Sequence, residues 1–497
     1  MNQMREQILQ ALANGNFLEV IDALSEELPR EDKSLRDILV RLNNEHLVDL
    51  CEEFRTLKVD SGTVGFSAMR GVFLDALPDL KVDCENVLKT VEHLISEAGR
   101  DLNAGYPLQA YRNFCKANEA RVTEALAEIL ESPDSYKHTL PSTLCAGSSI
   151  SIEKYYLKTI ELSKSDNTQL RNDAYRALAA LDYQSEPRLR VEAMKALLLA
   201  SAEIVEDEVQ AIFLSSAFEL FTQDAALEEK LILLLNNVVT HGQEQVQYQA
   251  SQILWLFFGK INKSILEVIL PSLYIIDPEH LGILRNIDGL LPNLFRAGYV
   301  GDAMTLLEQL LTNGRGQISM NQLEGSMIAI WREHEHTKIL YPLITQWLLN
   351  GSSPLCHAVS EIIRNFSLHA NQSPVPLEAD VSHLDPDNTF DVIFTARKAV
   401  GYLFMQPVSA ASFILSLLRQ NISEEAHQHL LNLLWDPLLR NWSGLVGDYL
   451  QEQREGSNKT VSKACEDLLA HNKEYLERLS PCFELLELRP SISQREV

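Results

Sequence analysis

The sequence predicts an all-α protein built from antiparallel helix pairs, and three observations support this fold class. Apolar residues recur at positions i, i+3, i+4 and i+7 through almost the whole chain, which places them on one face of a helix. Strict alternation of apolar and polar residues, the pattern of a half-buried strand, is hard to find. Short turns containing Pro or Gly separate the helical stretches, and helices joined by short turns lie antiparallel to their neighbours.

The clearest helices are segments in which the apolar spacing is uninterrupted. We predict them at 87–97, 121–130, 170–181, 188–202, 209–221, 246–258, 304–311 and 412–419. Pro133, Pro187 and Pro354 lie between helical stretches, at points where a proline fits the first turn of a helix. A first-turn proline is tolerated because the amide at that position has no helical acceptor.

A repeated pattern of apolar and small residues marks the helices themselves. LRNDAYRAL (170–178) returns nineteen residues later as LRVEAMKAL (189–197), and looser copies begin at Val246, Leu355 and Val461. At about 100° per residue, offsets 0, 4, 7 and 8 of the pattern fall within about 80° of one another. They therefore predict one buried stripe on each helix, and Ala at offsets 4 and 7 allows a neighbouring helix to approach closely.

A second echo joins NAGYPLQA (103–110) to RAGYVGDA (296–303), and both predict a turn that enters a new helix. The Ala-containing stripe is similar to the second helix of HEAT repeats, most clearly over 166–202, and the Gly-Tyr segments resemble tetratricopeptide-like hairpins. The spacing of nineteen residues differs from that family, which places the pattern once per helix pair. The resemblance to HEAT/armadillo proteins implies a right-handed α-solenoid that acts as a scaffold or adaptor, and the motif itself contains no catalytic group.

The chain of 497 residues exceeds what a single hydrophobic core usually organises. Two stretches interrupt the helical rhythm: 136–151 is rich in Ser, Thr and Gly, and 368–391 contains three prolines and five acidic residues. We predict an N-terminal helical region or cap at 1–135, a HEAT-like repeat region at 152–367, an acidic proline-containing loop or linker at 368–391, and a C-terminal helical region at 392–497.

The charge and the cysteine content limit the classes of partner and compartment. The sequence has 43 Lys and Arg against 69 Asp and Glu, a net charge of -26. This disfavours a chain built mainly to bind nucleic acid or an anionic membrane, since both need basic residues. The seven cysteines include no C-x-x-C pair, and the sequence shows no secretory signal and no apolar run near the roughly 20 residues that span a bilayer. We therefore expect a cytoplasmic protein with reduced, mostly buried thiols.

Local motifs for chemistry are absent from the sequence. In the cluster 333–336 the two histidines are two residues apart and point roughly 200° away from each other on a helix, whereas a zinc protease needs them at i and i+4. The segment 314–316 lacks the preceding strand and the Gly-Lys-Ser/Thr ending of a phosphate-binding loop. We therefore predict no catalytic residues, no cofactor and no metal.

A group of basic residues between 154 and 195 is the candidate partner site. Arg176 and Lys195 share one offset of the matched helices and point away from the buried stripe. Arg171 and Arg190 share another offset on the flank of the stripe, where a guanidinium covers apolar neighbours and reaches a carboxylate on the next helix. The partner-binding candidates are Lys158, Arg171, Arg176, Arg188, Arg190 and Lys195.

Two alternatives remain open at this point. The basic residues could instead form an intramolecular ladder of ion pairs with Asp173, Glu186 and Glu192. The aromatic run Trp255, Phe257 and Phe258 is expected in the core, with an exposed anchor for a partner as the alternative.

Three functions are compatible with the sequence. The first is a non-enzymatic scaffold or adaptor that binds a protein partner along a solenoid surface. The second is a subunit of a nucleic-acid-processing or antiphage defence complex that uses a basic ridge at 154–195. The third is an enzyme with dispersed catalytic residues, which a pocket lined by His or carboxylates with shifted pKa values would favour.

Overall fold

The computed structural model describes residues 2–28, 32–59, 66–99, 105–313, 318–332, 336–369 and 374–479. These residues form 26 α-helices joined by turns and short 3₁₀ segments, and they include no β-strand. The all-α class is therefore confirmed. Every predicted helix coincides with an observed one, and the predictions overrun the observed ends by at most two residues.

The chain divides into two compact units, Met1–Gln249 and Ala250–Val497. The division falls inside a helix within the predicted repeat region 152–367, and the four predicted regions stay a prediction. Helices of the first unit are α1 (Asn2–Asn14), α2 (Phe17–Glu27), α3 (Ser34–Asn44), α4 (Leu50–Phe54), α5 (Phe66–Ala76), α6 (Cys84–Ala98), α7 (Tyr106–Lys116), α8 (Glu119–Glu131), α9 (Leu140–Ser148), α10 (Ile152–Leu162), α11 (Thr168–Ala180), α12 (Pro187–Glu203), α13 (Asp207–Gln223) and α14 (Glu228–His241). Helix α15 (Glu244–Leu256) contains the division.

In the first unit the helices from α5 onward pack as two layers. The odd layer consists of α5, α7, α9, α11 and α13, and each of these helices packs against the next. The even layer consists of α6, α8, α10, α12 and α14; α6 packs on α8 and α12 on α14, while ion pairs link α8 to α10 and α10 to α12. Several hydrogen bonds between successive helices of a layer join residues 32 to 37 positions apart, as from Tyr111 to Thr143, from Lys154 to Glu119 and from Cys84 to the Arg121 carbonyl. One helix pair therefore takes up about 32 to 37 residues of sequence.

The second unit has the same kind of packing between near neighbours in the chain. Its helices are α16 (Lys263–Ile269), α17 (Leu281–Arg296), α18 (Val300–Thr312), α19 (Glu324–Arg332), α20 (His336–Asn350), α21 (Ser353–His369), α22 (Thr389–Tyr402), α23 (Pro407–Leu418), α24 (Glu424–Leu433), α25 (Ser443–Arg454) and α26 (Lys459–Leu479). Helices α20, α22 and α24 pack in a row, α23 packs on α25, and α25 packs on α26.

The predicted apolar stripes are buried. In α11 the stripe residues Leu170, Ala174, Ala177 and Leu178 are all buried, and in α12 Ala193 and Leu197 are buried while the other two are half-buried. The copies that begin at Val246, Leu355 and Val461 are buried as well, apart from the last residue of the third. The two best copies lie in different layers, because nineteen residues span one helix and one turn rather than a helix pair.

The Ser-, Thr- and Gly-rich stretch 136–151 was expected to interrupt the helices, and this expectation is wrong. It contains α9, which packs against α7, α8, α10 and α11. Its small residues allow this crowding, and its polar side chains bond within the helix: the Thr143 hydroxyl donates to the Thr139 carbonyl at 3.0 Å, and the Ser148 hydroxyl donates to the Cys145 carbonyl at 2.7 Å.

The segment predicted as a loop or linker, 368–391, includes both helical and non-helical residues, and its role as a boundary stays a prediction. Residues 368 and 369 end α21, and 374–388 are without helix until α22 begins at Thr389. The segment 374–388 is nevertheless well anchored on α23. The amides of Leu377 and Ala379 donate to the hydroxyls of Ser412 and Ser416 at 2.7 and 2.8 Å, and Ser409 donates to the Val375 carbonyl at 2.7 Å.

The aromatic run at the end of α15 was expected in the core, and the structure corrects this. Trp255 and Phe257 are 38% and 41% exposed. Trp255 lies in the last turn of α15, directly after the last buried stripe residue Leu254, and Phe257 follows the end of the helix at Leu256, so neither belongs to the stripe.

Candidate functional site

The six predicted partner-binding residues lie on three helices in both layers of the first unit. Lys158 is on α10, Arg171 and Arg176 are on α11, and the remaining residues, Arg188, Arg190 and Lys195, are on α12. The structure therefore distributes them over several surfaces, and whether a partner contacts any of them stays a prediction.

Most of these basic side chains are paired with carboxylates of the chain itself. Three pairs are those of the alternative ladder: Arg176 with Asp173 at 2.8 Å, Arg188 with Glu186 at 3.0 Å, and Lys195 with Glu192 at 2.8 Å. Lys158 pairs with Glu161 at 2.7 Å. Apart from the pair of Arg176 with the buried Asp173, these pairs are exposed or half-exposed and contribute about 0–1 kcal/mol each, so a partner could exchange them at low cost.

Arg171 and Arg190 instead anchor local structure. Arg171 donates to the carbonyl of Ser165 at 3.1 Å, in the turn that precedes its own helix. Arg190 is 14% exposed, lies over the ring of Tyr183 at 5.6 Å and is 4.0 Å from Asp224. As predicted from their shared offset, both lie on the flank of the stripe, and the carboxylate near Arg190 belongs to the turn after α13.

A charged depression in the first unit is a cleft of about 630 Å³ on the odd layer, which we call the Arg112 cleft. Helices α7, α9 and α11 provide its walls, and the turn before α9 closes one side. Its charged lining consists of Arg112, Lys137, His138, Asp173, Arg176 and Glu208. This volume is within the range of ligand-binding clefts in proteins. Arg176 is the predicted partner-binding residue that lines it.

Asp173 is the buried charge of this cleft, with a side chain only 3% exposed. Gln169 donates to one of its oxygens at 2.7 Å and Arg176 donates to the other at 2.8 Å. Burial raises the pKa of Asp173, whereas the hydrogen bonds from Gln169 and Arg176 lower it, and the net shift is upward. Both oxygens are thus committed to donors within α11.

His138 stands at the rim of the cleft and is fixed by Glu92 of α6. Glu92 accepts the backbone N–H of His138 at 2.8 Å and lies 2.7 Å from its Nδ1. The hydrogen bond to Glu92 raises the pKa of His138 above its ordinary value. Protonated His138 therefore adds positive charge to the rim over a wider pH range than a free histidine would.

Arg112 on α7 differs from His138, Asp173 and Arg176 because its guanidinium has no hydrogen-bond or ion-pair partner among the described residues. Its Nε is buried and makes no hydrogen bond. Glu219 of α13 is close enough to interact with it electrostatically, but the two side chains do not form an ion pair within 4.0 Å.

A second cleft of about 480 Å³ lies beside the first, between α5 and α7. Arg70, Leu74 and Tyr106 are among its lining residues, and Gln109 lines both clefts. The odd layer therefore presents two depressions, one on each flank of α7, that adjoin at Gln109.

Sequence patterns did not indicate Arg112 or His138. The signal that could have found the cleft is the helix-pair interval: His138 and Asp173 are 35 residues apart and come together on adjacent elements. The sequence repeat at nineteen residues relates α11 to α12, which lie in opposite layers, so it does not reveal the spacing of about 35 residues within a layer.

Metal-binding groups and cysteine thiols are the other possible sources of chemistry. The described residues contain no group of three or more His, Cys, Asp or Glu arranged to hold a metal, and the segments 314–316 and 333–335 lie outside them. Cys51, Cys84, Cys115, Cys145, Cys356 and Cys465 are free and buried, as expected for the thiols; Cys482 lies outside the described part. Burial raises the pKa of Cys51 to about 12, so that thiol is unreactive.

Among the helices that the structure describes, none combines the length and apolar character needed to cross a bilayer. Comparison with protein-family models and with curated proteins finds no match to this chain. The geometry of the clefts is therefore the basis for proposing a function.

Proposed function

We propose that this protein is a non-enzymatic scaffold or adaptor that binds a protein partner along the odd layer of its first unit. The observation that carries the proposal is the pair of adjoining clefts on α5, α7, α9 and α11, one of which contains the unpartnered guanidinium of Arg112. The buried Nε–H of Arg112 has no acceptor among the described residues, and an acceptor group of a partner would supply one.

We also propose a repeat type and a handedness for the helix layers. Layers in which each helix packs on the next support a HEAT/armadillo-type solenoid, which we propose to be right-handed, with some tetratricopeptide-like hairpins. Repeat proteins of this kind present extended surfaces to partners. We further propose a cytoplasmic location, which the burial of the described thiols supports.

An enzyme is the second candidate, because the Arg112 cleft is lined by His138 and Asp173, whose pKa values are both raised. It ranks lower because both oxygens of Asp173 and Nδ1 of His138 are already engaged within the chain. Turnover of a substrate that is lost in Asp173→Asn would favour the enzyme over the scaffold.

Site-specific photo-crosslinking tests the scaffold proposal. A photoreactive amino acid replaces Gln109, which is exposed and lines both clefts, in the full chain expressed in its own cells. The matched position is Lys195, an exposed member of the predicted basic group on the even layer. We expect one stoichiometric protein adduct at position 109 and none at position 195.

The other outcomes are equally informative. An adduct only at position 195 would transfer the partner surface to the predicted basic group. No adduct at either position, together with a monomer in sizing experiments, would contradict the scaffold function.

A further inference from the structure

Arg112 is held in place by packing but not by polar contacts. It projects from α7 into the cleft, its Nε is buried, and none of its guanidinium nitrogens has a hydrogen-bond partner among the described residues. A guanidinium has five N–H donors in a rigid fork. In Arg112 the buried Nε–H lacks an acceptor, while the side chain as a whole is half-buried, so its terminal N–H groups can reach solvent or a ligand.

A buried Nε without a hydrogen bond recurs at Arg171 and Arg190 of this unit. Arg171 nevertheless donates to the Ser165 carbonyl, and Arg190 lies 4.0 Å from Asp224. Arg112, in contrast, has neither a hydrogen bond nor an ion pair among the described residues.

Arg121 of α8 donates to the carbonyls of Pro78, Phe114 and Leu80 at 3.2, 2.9 and 2.7 Å, and lies 4.0 Å from the Phe114 ring. Arg176, across the cleft, is paired with Asp173. The donors of Arg112 are therefore available to a ligand, while those of Arg121 and Arg176 are already used.

The cleft around Arg112 favours one small anionic group. Lys137 is exposed at the rim and makes no side-chain ion pair among the described residues, so the cleft contains two uncommitted cations. Of the two lining carboxylates, Asp173 is neutralised by Arg176, and Glu208 is the remaining one. Glu219 of α13 interacts electrostatically with Arg112 from outside the lining, so two free cations stand beside two carboxylates and the cleft is close to neutral, although the chain has a net charge of -26.

We propose that the Arg112 cleft binds a single oxyanionic group, a carboxylate or a phosphoryl group, carried by a peptide segment of the partner. The inference deepens the proposed function and rests on it. The planar fork of Arg112 matches two oxygens of such a group, and Lys137 neutralises the remaining charge.

The same charges disfavour a nucleic-acid strand as the occupant. A backbone of successive phosphates needs a continuous row of cations, because its affinity comes from the counterions that each contact releases. Here Glu208 lines the cleft, and the surrounding chain is strongly acidic. A peptide brings its own uncharged amide groups to the remaining surface, including the second cleft beyond Gln109.

The test uses the full chain and two small probes, inorganic phosphate and succinate, titrated separately by calorimetry in a buffer without competing oxyanions. We expect saturable binding at millimolar concentrations for the favoured probe, since a small anion makes few contacts. The stronger of the two identifies the phosphoryl or the carboxylate as the natural group. Arg112→Met should weaken binding roughly tenfold or more, because charge-assisted hydrogen bonds are lost.

Arg112→Lys keeps the charge but not the fork, so its affinity should fall between those of the wild type and Arg112→Met. The matched control is Lys116→Met, which removes one exposed positive charge from the same helix outside the cleft and should leave the affinity within about twofold. Thermal unfolding checks that each variant folds.

Three results would overturn the inference: no saturable binding of either probe to the wild type, equal losses in Arg112→Met and Lys116→Met, or tight, steeply salt-dependent binding of a DNA duplex through Arg112. A partner crosslinked at position 109 without anion binding would leave the scaffold function intact and remove this inference. Anion binding that is lost in Arg112→Met, without any crosslinked partner, would support the oxyanion site and contradict the scaffold function.

Discussion

Gly147 shows how a single residue sets the spacing between helices in the first unit. A Cβ atom at this position would lie 2.4 Å from the ring of Tyr155, which is itself almost fully buried on α10. Glycine in a helix costs up to about 0.5–1 kcal/mol relative to alanine, so its presence in the last turn of α9 points to a compensating gain. That gain is the direct contact between the backbone of α9 and the Tyr155 ring.

We therefore expect Gly147→Ala to destabilise the protein despite the better helix propensity of alanine. Because the ring is enclosed, relief of the clash requires a shift of packed elements, and overpacking of this kind costs about 1–3 kcal/mol. Chemical denaturation of the wild type and the variant measures the difference in unfolding free energy.

The matched control is Gly71→Ala in α5, where a Cβ atom would meet nothing within 4 Å. That substitution should stabilise by about 0.5–1 kcal/mol or leave stability unchanged. Equal effects at the two positions would contradict the argument from Tyr155.

At the level of elements, the segment 374–388 shows how a chain without helix can be as firmly placed as a helix. Ser409, Ser412 and Ser416 recur at helical spacing on one face of α23, and each makes a hydrogen bond to the backbone of this segment. Two side chains of the segment itself, Leu377 and Leu384, are buried. The prolines in the segment explain why it is not helical, and the serines of α23 supply the partners that a helix would have supplied.

We expect the double variant Ser412→Ala, Ser416→Ala to loosen this segment. The amide of Leu377 would lose its acceptor while buried, and an unsatisfied buried donor costs about 1–3 kcal/mol. Hydrogen exchange measured by mass spectrometry should show faster exchange for the peptide that contains Leu377 and Ala379.

Ser215→Ala serves as the control, since the Ser215 hydroxyl donates only to the Ile212 carbonyl of its own helix. It should not change exchange at 377 and 379. Unchanged exchange in the double variant would mean that side-chain burial alone holds the segment.

The elements also show how far the sequence predicts this fold. Long segments with regular apolar spacing were placed correctly because burial of one face dominates their energy. Helix α9 was missed because Ser, Thr and Gly have low intrinsic helix propensity, and only its contacts with four other helices favour the helix. Trp255 was assigned to the core because composition does not show where a helix ends and a stripe stops.

The candidate site was less predictable than the fold. Spacing on a helix correctly oriented Arg176 away from the buried stripe, as its exposed side chain shows. It could not indicate Arg112, since what distinguishes that residue is the absence of a partner, and this depends on side chains contributed by three other elements.

For the whole molecule, the net charge of -26 must produce self-repulsion that exceeds the attraction in its surface ion pairs. The pairs on the first unit, such as Arg188 with Glu153 at 3.2 Å, join side chains that are 71% and 65% exposed and therefore contribute little each. Repulsion acts between all the unpaired carboxylates, over a distance set by the ionic strength.

We therefore expect added sodium chloride to stabilise the protein. The screening length falls from about 30 Å at 0.01 M to about 10 Å at 0.1 M, which reduces long-range repulsion much more than contacts between adjacent charges. The midpoint of thermal unfolding should rise over this range, and Arg188→Glu, which adds negative charge, should make the rise steeper. The control Arg188→Gln removes the same ion pairs without adding a carboxylate, so the rise of its midpoint with salt should lie between those of the wild type and Arg188→Glu. A midpoint that decreases with salt would show that ion pairs, and not net repulsion, dominate the electrostatic free energy of this fold.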